Sequence, residues 1–425
     1  MIVRGGRALT GTVRVPGDKS ISHRALLLAA LAEGTSAVRG LSAGDDVART
    51  RAAVEALGAE VAEEAVRGGR SRLHEPAGVI DVGNSGTSMR LLAGLCATVP
   101  GLTVLTGDAS IRRRPMDRVA VPLREMGANL DGRDGGRLPP LVVRGAALKG
   151  IDYRLPVPSA QVKAAVLLAG LAAEGETVVR EAVPTRAHTE EMLALAGADV
   201  TVEDGGLTIR VRPSTLRPFE LDVPGDPSQA AFWLVGAAVV PGSDVTVPDV
   251  YLGPARAAFL DVLARMGADV ERTPATTAAG VAAPVADVRV RHTGPLRATE
   301  IGGDEVPGLI DELPILAVAA ACAEGTTVVR DAAELRVKES DRIAAVATQL
   351  ARLGARVEPR PDGLVVYGPA RLTGAAVESG GDHRMAMALA IAGLAAGGET
   401  HVGGWDAVAT SYPGFAADLE ALACG

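Results

Sequence analysis

The sequence predicts an α/β protein made of repeated α+β units and divided into two domains. Three observations carry this. The chain has 425 residues, 48% of them hydrophobic, and single cores usually stop growing near about 250–300 residues. An apolar helix ending in a small-residue turn and a β-branched strand recurs six times. The copies read AALAEGTSAVRG, ATVPGLTVLTGD, LAAEGETVVREA, AVVPGSDVTVPD, CAEGTTVVRDA and LAAGGETHVGGW. A helix end followed by Gly-Ala and a strand appears five times, at Gly58, Gly127, Gly197, Gly267 and Gly354. Six units over this length give about 71 residues each, so the repeat accounts for the whole chain.

The first unit sets the expected grammar. A strand at residues 11–15 leads through Pro16-Gly17 into a helix at 23–32, whose Leu and Ala favour helix. Gly34 ends it, and 35–38 form a short strand. Asp45 and Asp46 open the next helix, where the macrodipole favours acids, and Gly58 caps it. Strands at 60–65 and 71–74 complete a βαβαββ unit. The sixth copy stops after the helix in DLEALACG, so its missing strands are expected from Met1-Ile-Val-Arg. Six units are too many for one sheet, and two groups of three around separate cores are the natural division.

Composition excludes several functions. The net charge of −8 argues against a broadly cationic nucleic-acid surface. Two Trp, four Tyr and four Phe are too few for base-stacking platforms, and they leave Ala, Val and Leu to build the core. Cys96, Cys322 and Cys424 are distant and odd in number, which predicts no disulfide framework and a reducing, cytoplasmic setting. The N-terminus lacks an apolar signal segment, and no apolar run reaches the length of a membrane span.

Repetition does not explain dense charge at helix entries. PGDKSISHR (residues 16–24) places Lys19, Ser20 and Arg24 where free N–H groups and the helix dipole make an anion site. On its own, an ordinary cap with solvated cations explains it equally well. GNSGTSMR (83–90) offers Gly83 and Gly86 for close backbone approach, with Arg90 one turn on. GDASIRRRPMDR (107–118) holds Arg112, Arg113, Arg114 and Arg118, of which at most one or two should point inward. IDELP (310–314), RVKESDR (336–342) and GDHRMAM (381–387) each set charge beside an apolar helix.

Turned inward, Lys19, Arg24, Arg90, Arg114, Lys338, Arg342 and Arg384 require compensating anions. Two substrates, each with a phosphate and a carboxylate, would supply about −5 to −6. Asp311 and Glu339 would close the balance. No metal or cofactor is expected. The six histidines are dispersed, and neither a metal-ligand spacing nor a dinucleotide fingerprint occurs.

Taken in order, PGDKSISHR, GNSGTSMR, the RRRP loop, PSAQVK (158–163), RVKESDR and DHRMAM resemble the motifs of the 3-phosphoshikimate 1-carboxyvinyltransferase (EPSP synthase) family. The resemblance runs over essentially the full chain. It implies two domains of three βαβαββ units, of the inside-out α/β barrel type, with the active site in an interdomain cleft. Residues 1–16 with 227–425 would form one domain, completed by both termini, and 17–226 the other.

The resemblance also implies transfer of an enolpyruvyl group from phosphoenolpyruvate to the 5-hydroxyl of shikimate 3-phosphate. Asp311 would be the base, Glu339 the proton donor and acceptor at the methylene carbon, and Lys19 the cation touching both substrates. Shikimate 3-phosphate would be held by Lys19, Ser20, Arg24, Ser159, Ala160, Gln161, Thr185, Asp311 and Lys338. Phosphoenolpyruvate would meet Lys19, Gly86, Arg114, Gln161, Arg342 and Arg384. A cytoplasmic monomer without nucleic-acid or membrane partners is expected.

Several positions depart from well-known members. Ala160 and Thr185 replace serines, Arg186 adds a cation, Glu334 stands for an asparagine, Leu91 for a proline and Thr410 for a lysine. The sister enzyme acting on UDP-N-acetylglucosamine typically has a cysteine in the loop that here reads GDASIRRRP, where none occurs. A non-catalytic repeat scaffold would not need the acid–base motifs, and an RNA-end-processing relative sits poorly with the acidic charge.

Overall fold

The computed structural model describes residues 1–274 and 276–423; Cys424 and the last residue of the DLEALACG segment lie outside them. The backbone forms two compact units. One comprises Met1–Pro16, Pro224–Thr276 and Ala283–Gly425, the other Gly17–Val223 and Thr277–Ala282. The expected boundary at residue 226 differs from this by a few residues. Asp226 N–H donates to Pro16 O at 2.9 Å and Gly225 N–H to Asp249 O at 2.8 Å, which ties that turn to the first unit. Residues 277–282 join the second through Asp222 N–H to Ala279 O at 3.0 Å, an excursion no repeat marker announces.

The unit containing Gly17–Val223 holds three four-stranded sheets of one design. The strands of each run in the order lead, second, fourth, third. The first sheet reads Glu220–Asp222, Gly34–Arg39, Ala65–Gly68, Glu60–Val61. The second reads Ile80–Asp81, Leu102–Thr106, Leu138–Arg144, Asn129–Arg133, and the third Asp152–Arg154, Thr177–Arg180, Thr208–Val211, Val200–Glu203. In each, the lead pair is parallel and the remaining pairs are antiparallel.

The other unit repeats the design in two four-stranded sheets and one of three strands. In the last, Ile2–Arg4 lies antiparallel to Glu399–Gly403, with Val3 opposite Thr400. The N-terminus therefore supplies one of the two strands the sixth unit lacks.

Two local expectations need correction. The strand expected at 71–74 is instead Ala65–Gly68, and Arg70–Arg72 form a 3-10 turn. Gly68 fixes this register, because a Cβ there would lie 2.1 Å from Ala29 O, so only glycine lets the strand reach the helix beneath. The first helix begins at Lys19, four residues before the expected start, because Asp18 Oδ1 accepts from Ile21 N–H and caps it. The strand before it, Thr10–Thr12, belongs to the unit of Met1–Pro16 and pairs there with Asp244–Tyr251, while Glu220–Asp222 takes the lead place beside Gly34–Arg39.

Six helices are buried along nearly their whole length: Lys19–Leu31, Gly86–Cys96, Ala160–Gly170, Pro227–Val239, Leu313–Cys322 and His383–Ala395. Helices apolar on all sides belong in the interior. Gly94 allows one contact between them, since a Cβ would come within 2.3 Å of Ala165 O. The outer helices end in the Gly-Ala marker. Gly58, Gly127, Gly197, Gly267 and Gly354 all have positive φ, and the N–H of each following alanine reaches back to the carbonyl five residues earlier. This is one Schellman cap used five times.

The core is mainly Ala, Val and Leu. One aromatic cluster departs from that expectation: Trp233 stacks on Phe415 at 4.3 Å, and Tyr412 and Phe232 meet Phe415 edge-on. It anchors the Phe415–Ala423 helix to the core.

Candidate functional site

PGDKSISHR, GNSGTSMR, IDELP and GDHRMAM meet the starts of buried helices, whereas residues 107–118 and 336–342 lead into the outer helices Asp117–Glu125 and Arg342–Arg352. In the Gly17–Val223 unit, Asp18, Ser85 and Ser159 cap the three helices by accepting from Ile21, Ser88 and Val162 N–H. Each start leaves further backbone N–H groups at the positive end of a helix dipole.

Side chains tie these starts together. Arg24, buried, donates from Nε to Thr189 Oγ1 at 2.7 Å, from Nη1 to Ser20 O at 2.9 Å and from Nη2 to Ala160 O at 3.2 Å. Arg90 Nη1 donates to Gln161 Oε1 at 2.7 Å, and Gln161 Nε2 to Thr87 Oγ1 at 2.9 Å. Arg186 Nη1 reaches Ser20 Oγ at 3.2 Å. Of the RRRP run only Arg114 is buried, held by Asn84 Oδ1 at 2.9 Å, while Arg112 and Arg113 face solvent. Gly86 sits directly beneath the guanidiniums: a Cβ would be 2.9 Å from Arg114 Nη1 and 3.1 Å from Arg90 Nη1.

Lys19 Nζ lies 2.8 Å from Asp46 Oδ2. In the sequence Asp46 reads only as a favourable first-turn acid, so its second task had no local signal. His23, one turn beyond Lys19, bonds Thr50 Oγ1 at 2.7 Å through Nδ1, and Thr50 continues to Ser88. Burial, with Lys19 and Arg24 nearby, pushes the His23 pKa well down despite Asp18.

In the unit containing Ala283–Gly425, one arginine organises the cluster. Arg342 is 1% exposed at its side chain and meets Glu339 Oε2 at 2.7 Å, Asp382 Oδ2 at 2.8 Å and Asp311 Oδ1 at 3.3 Å. Burial opposes its charge, but Asp382, Glu339 and Asp311 together hold its pKa above the ordinary arginine value. Arg384 Nη2 stands 3.6 Å from Asp311 Oδ2, and its Nη1 donates to Asp311 O at 3.4 Å. Asp382 caps the His383–Ala395 helix through Arg384 N–H at 3.0 Å.

Lys338 is half-buried, and burial lowers its pKa against the opposing pull of Asp311 and Glu334. Thr410, in the place of a lysine elsewhere, ends the Trp405–Thr410 3-10 turn, half-buried.

The expected residues thus fall into two clusters, one per unit. Lys19, Ser20, Arg24, Gly86, Arg114, Ser159, Ala160, Gln161 and Thr185 lie in one, and Asp311, Lys338, Glu339, Arg342 and Arg384 in the other. Sequence reasoning did not find two buried networks beside them. Lys163 pairs with Glu181 and Glu190, and Arg256 bonds Asp226 and Ser228, whose hydroxyl reaches Glu312. An isolated Lys in the apolar stretch AQVKAAVLLAG was the available signal for the first.

Burial pushes the Cys96 and Cys322 thiols up to about 12, which leaves little reactive thiolate. Among the described residues no group of three or more His, Cys, Asp or Glu is placed to hold a metal, and no helix is long and apolar enough to cross a membrane.

Helix starts lined with arginine, lysine and hydroxyls carry the kind of donors that suit anionic, phosphorylated ligands. A family profile described as EPSP synthase (3-phosphoshikimate 1-carboxyvinyltransferase) matches residues 3–419. The 3-phosphoshikimate 1-carboxyvinyltransferase of Gloeobacter violaceus is 55% identical over 417 residues, covering 96% of this chain and 95% of its own. That of a Synechococcus strain is 52% identical, covering 98% and 95%. The solved EPSP synthase of Acinetobacter baumannii superposes with a TM-score of 0.87 at 42% identity, covering 99% of this chain and 97% of its own. The chain belongs to the EPSP synthase family, and its fold is the family's two-domain α/β repeat.

Proposed function

We propose that this protein transfers the enolpyruvyl group of phosphoenolpyruvate to the 5-hydroxyl of shikimate 3-phosphate, releasing phosphate. What carries the proposal is the setting of Arg342, whose guanidinium is shared by Asp311 and Glu339, the two acids the chemistry requires. Family membership over nearly the full length supports the same reaction.

Asp311 takes the proton of the 5-hydroxyl as its oxygen bonds the central carbon of phosphoenolpyruvate. Glu339 donates a proton to the methylene carbon, giving a tetrahedral adduct. It then recovers a proton from the resulting methyl group as the C–O bond to phosphate breaks and the double bond re-forms, and the proton held by Asp311 leaves with the phosphate. Arg342 and Arg384, with Lys19, Gly86, Arg114 and Gln161, hold phosphoenolpyruvate and the leaving phosphate. Positive charge around the leaving phosphate stabilises the charge that develops there as the bond breaks. Ser20, Arg24, Ser159, Ala160, Gln161, Thr185 and Lys338 hold the acceptor, with Ala160 able to contribute only its backbone.

Within the chain, Asp46 pairs with Lys19, and Asp382, Asp311 and Glu339 pair with Arg342. The phosphates therefore compete with carboxylates for the same donors. The protein is proposed to act in the cytoplasm as a monomer.

The test is phosphate release from phosphoenolpyruvate with each of two acceptors. Release is expected with shikimate 3-phosphate and not with UDP-N-acetylglucosamine. Release with the UDP-sugar alone would overturn the assignment. Asp311→Asn and Glu339→Gln should each lose most turnover while remaining folded, and near-normal turnover in either would remove that residue from its role.

A further inference from the structure

Lys163 is the fourth residue of the Ala160–Gly170 helix, between Val162 and Ala164, and every residue after it in that helix is apolar. Its side chain is 0% exposed and its Nζ is 2.7 Å from Glu181 Oε2 and 2.8 Å from Glu190 Oε1. Buried ion clusters of this kind add little net stability over apolar packing, because desolvation offsets their attraction. Their contribution is orientation.

Here the oriented group is identifiable. Glu181 closes the turn that follows the Thr177–Arg180 strand by accepting twice from Thr185: from the hydroxyl, at Oε1, at 2.6 Å, and from the backbone N–H, at Oε2, at 3.4 Å. Glu190 stands in the His188–Leu195 helix beside Thr189, whose hydroxyl accepts from Arg24 Nε. Arg186, next to Thr185, reaches Ser20. One buried lysine thus pins together the helix that begins with Ala160 and Gln161, the turn carrying Thr185 and Arg186, and the helix that holds Arg24.

We propose that Glu181, anchored by Lys163, is a positioning residue for acceptor binding. It fixes the turn that carries Thr185 and the neighbouring Arg186, which reaches Ser20 of the acceptor site. This rests on the function proposed above, in which Thr185 belongs to the shikimate 3-phosphate site. Lys163 uses one carboxylate oxygen of Glu181 and the Thr185 hydroxyl uses the other. A glutamine keeps one oxygen for Lys163 but loses the charge, and toward the Thr185 hydroxyl it can only donate, which reverses and weakens that bond.

The experiment compares Glu181→Gln, Thr185→Val and the double variant. Glu181→Gln should raise the KM for shikimate 3-phosphate by about tenfold or more, with kcat within about threefold and the KM for phosphoenolpyruvate unchanged. The double variant should be no more than about twofold worse than the worse single variant, because both remove one interaction. Additive losses, equal losses for both substrates or an unchanged acceptor KM would each overturn the proposal. Thr185→Val leaves the buried charges in place, so an unchanged acceptor KM in that variant overturns it even if Glu181→Gln does not fold.

Amide hydrogen exchange at residues 185–187, measured without substrate, separates this inference from the assigned reaction. Faster exchange in Glu181→Gln than in the wild type is expected. Unchanged exchange overturns the positioning role whatever the activity. Failure of the wild type to use shikimate 3-phosphate would instead overturn the assigned reaction.

Discussion

Arg342 Nη2 stands 2.7 Å from Glu339 Oε2, one turn away, and the same guanidinium also contacts Asp382 and Asp311. Three carboxylates on one buried cation make Arg342 the charge on which the others depend. Removing it leaves like charges facing one another in a site poor in solvent. Arg342→Met should therefore cost about 3–5 kcal/mol of folding stability, the range for breaking a buried ion pair. Urea unfolding checks this, and a loss under about 1 kcal/mol, as for an exposed pair, would contradict it.

Gly86 has room for no side chain without moving the Arg114 and Arg90 guanidiniums. Both contacts are to flexible ends, so Gly86→Ala should fold with a nearly unchanged melting temperature. The displaced cations should raise the KM for phosphoenolpyruvate by about tenfold, equivalent to about 1.4 kcal/mol. Steady-state kinetics with wild-type KM would show that the guanidiniums adapt without loss.

Lys338 is the site cation whose charge burial disfavours. Between its lowered folded-state pKa and the ordinary 10.5, the unfolded chain binds more protons. Lys338 thus adds stability as pH rises through that window, even as its charge is lost. Acceptor affinity should fall on the alkaline side before the ordinary lysine range. Lys338→Arg should move that limb to higher pH, and coincident pH profiles for acceptor binding would refute the assignment.

His23 is held neutral by burial and by Lys19 and Arg24. Its folded-state pKa lies below the ordinary 6.5, so the unfolded chain takes up the proton first as pH falls. The contribution of His23 is complete above about pH 6.5 and is lost progressively below it. Denaturant midpoints from pH 7.5 to 5 should fall less steeply in His23→Asn than in the wild type. Parallel curves would mean that His23 does not titrate in this window.

Much of the fold is legible locally. Five Gly-Ala markers specify five Schellman caps because an αL backbone favours glycine at that one position. The motif segments are legible as helix starts for the same reason, since capping involves only neighbours in sequence. The strand at Ala65–Gly68 is not. Its placement depends on how closely Gly68 approaches Ala29 O in another element, and the run from 60 to 74 has no alternation strong enough to choose a register.

The candidate site divides along the same line. Lys19, Arg114 and Arg342 stand out as charges at helix entries, but their partners Asp46, Asn84 and Asp382 do not, because a side-chain pairing leaves no periodic trace.

The sequence by itself determined the six-unit repeat, the caps and the helix starts that carry charge. These follow from backbone preference and hydrophobic period within a few residues. Only the tertiary structure decided which strands close which sheets. Ile2–Arg4 completes the last sheet as the repeat predicts, whereas Glu220–Asp222 displaces Thr10–Thr12 as the lead strand beside Gly34–Arg39, which no repeat marker announces. Backbone hydrogen bonds are alike in every strand, so the choice among edges falls to the packing of distant side chains, and the same packing brings Asp311, Glu339 and Asp382 onto Arg342.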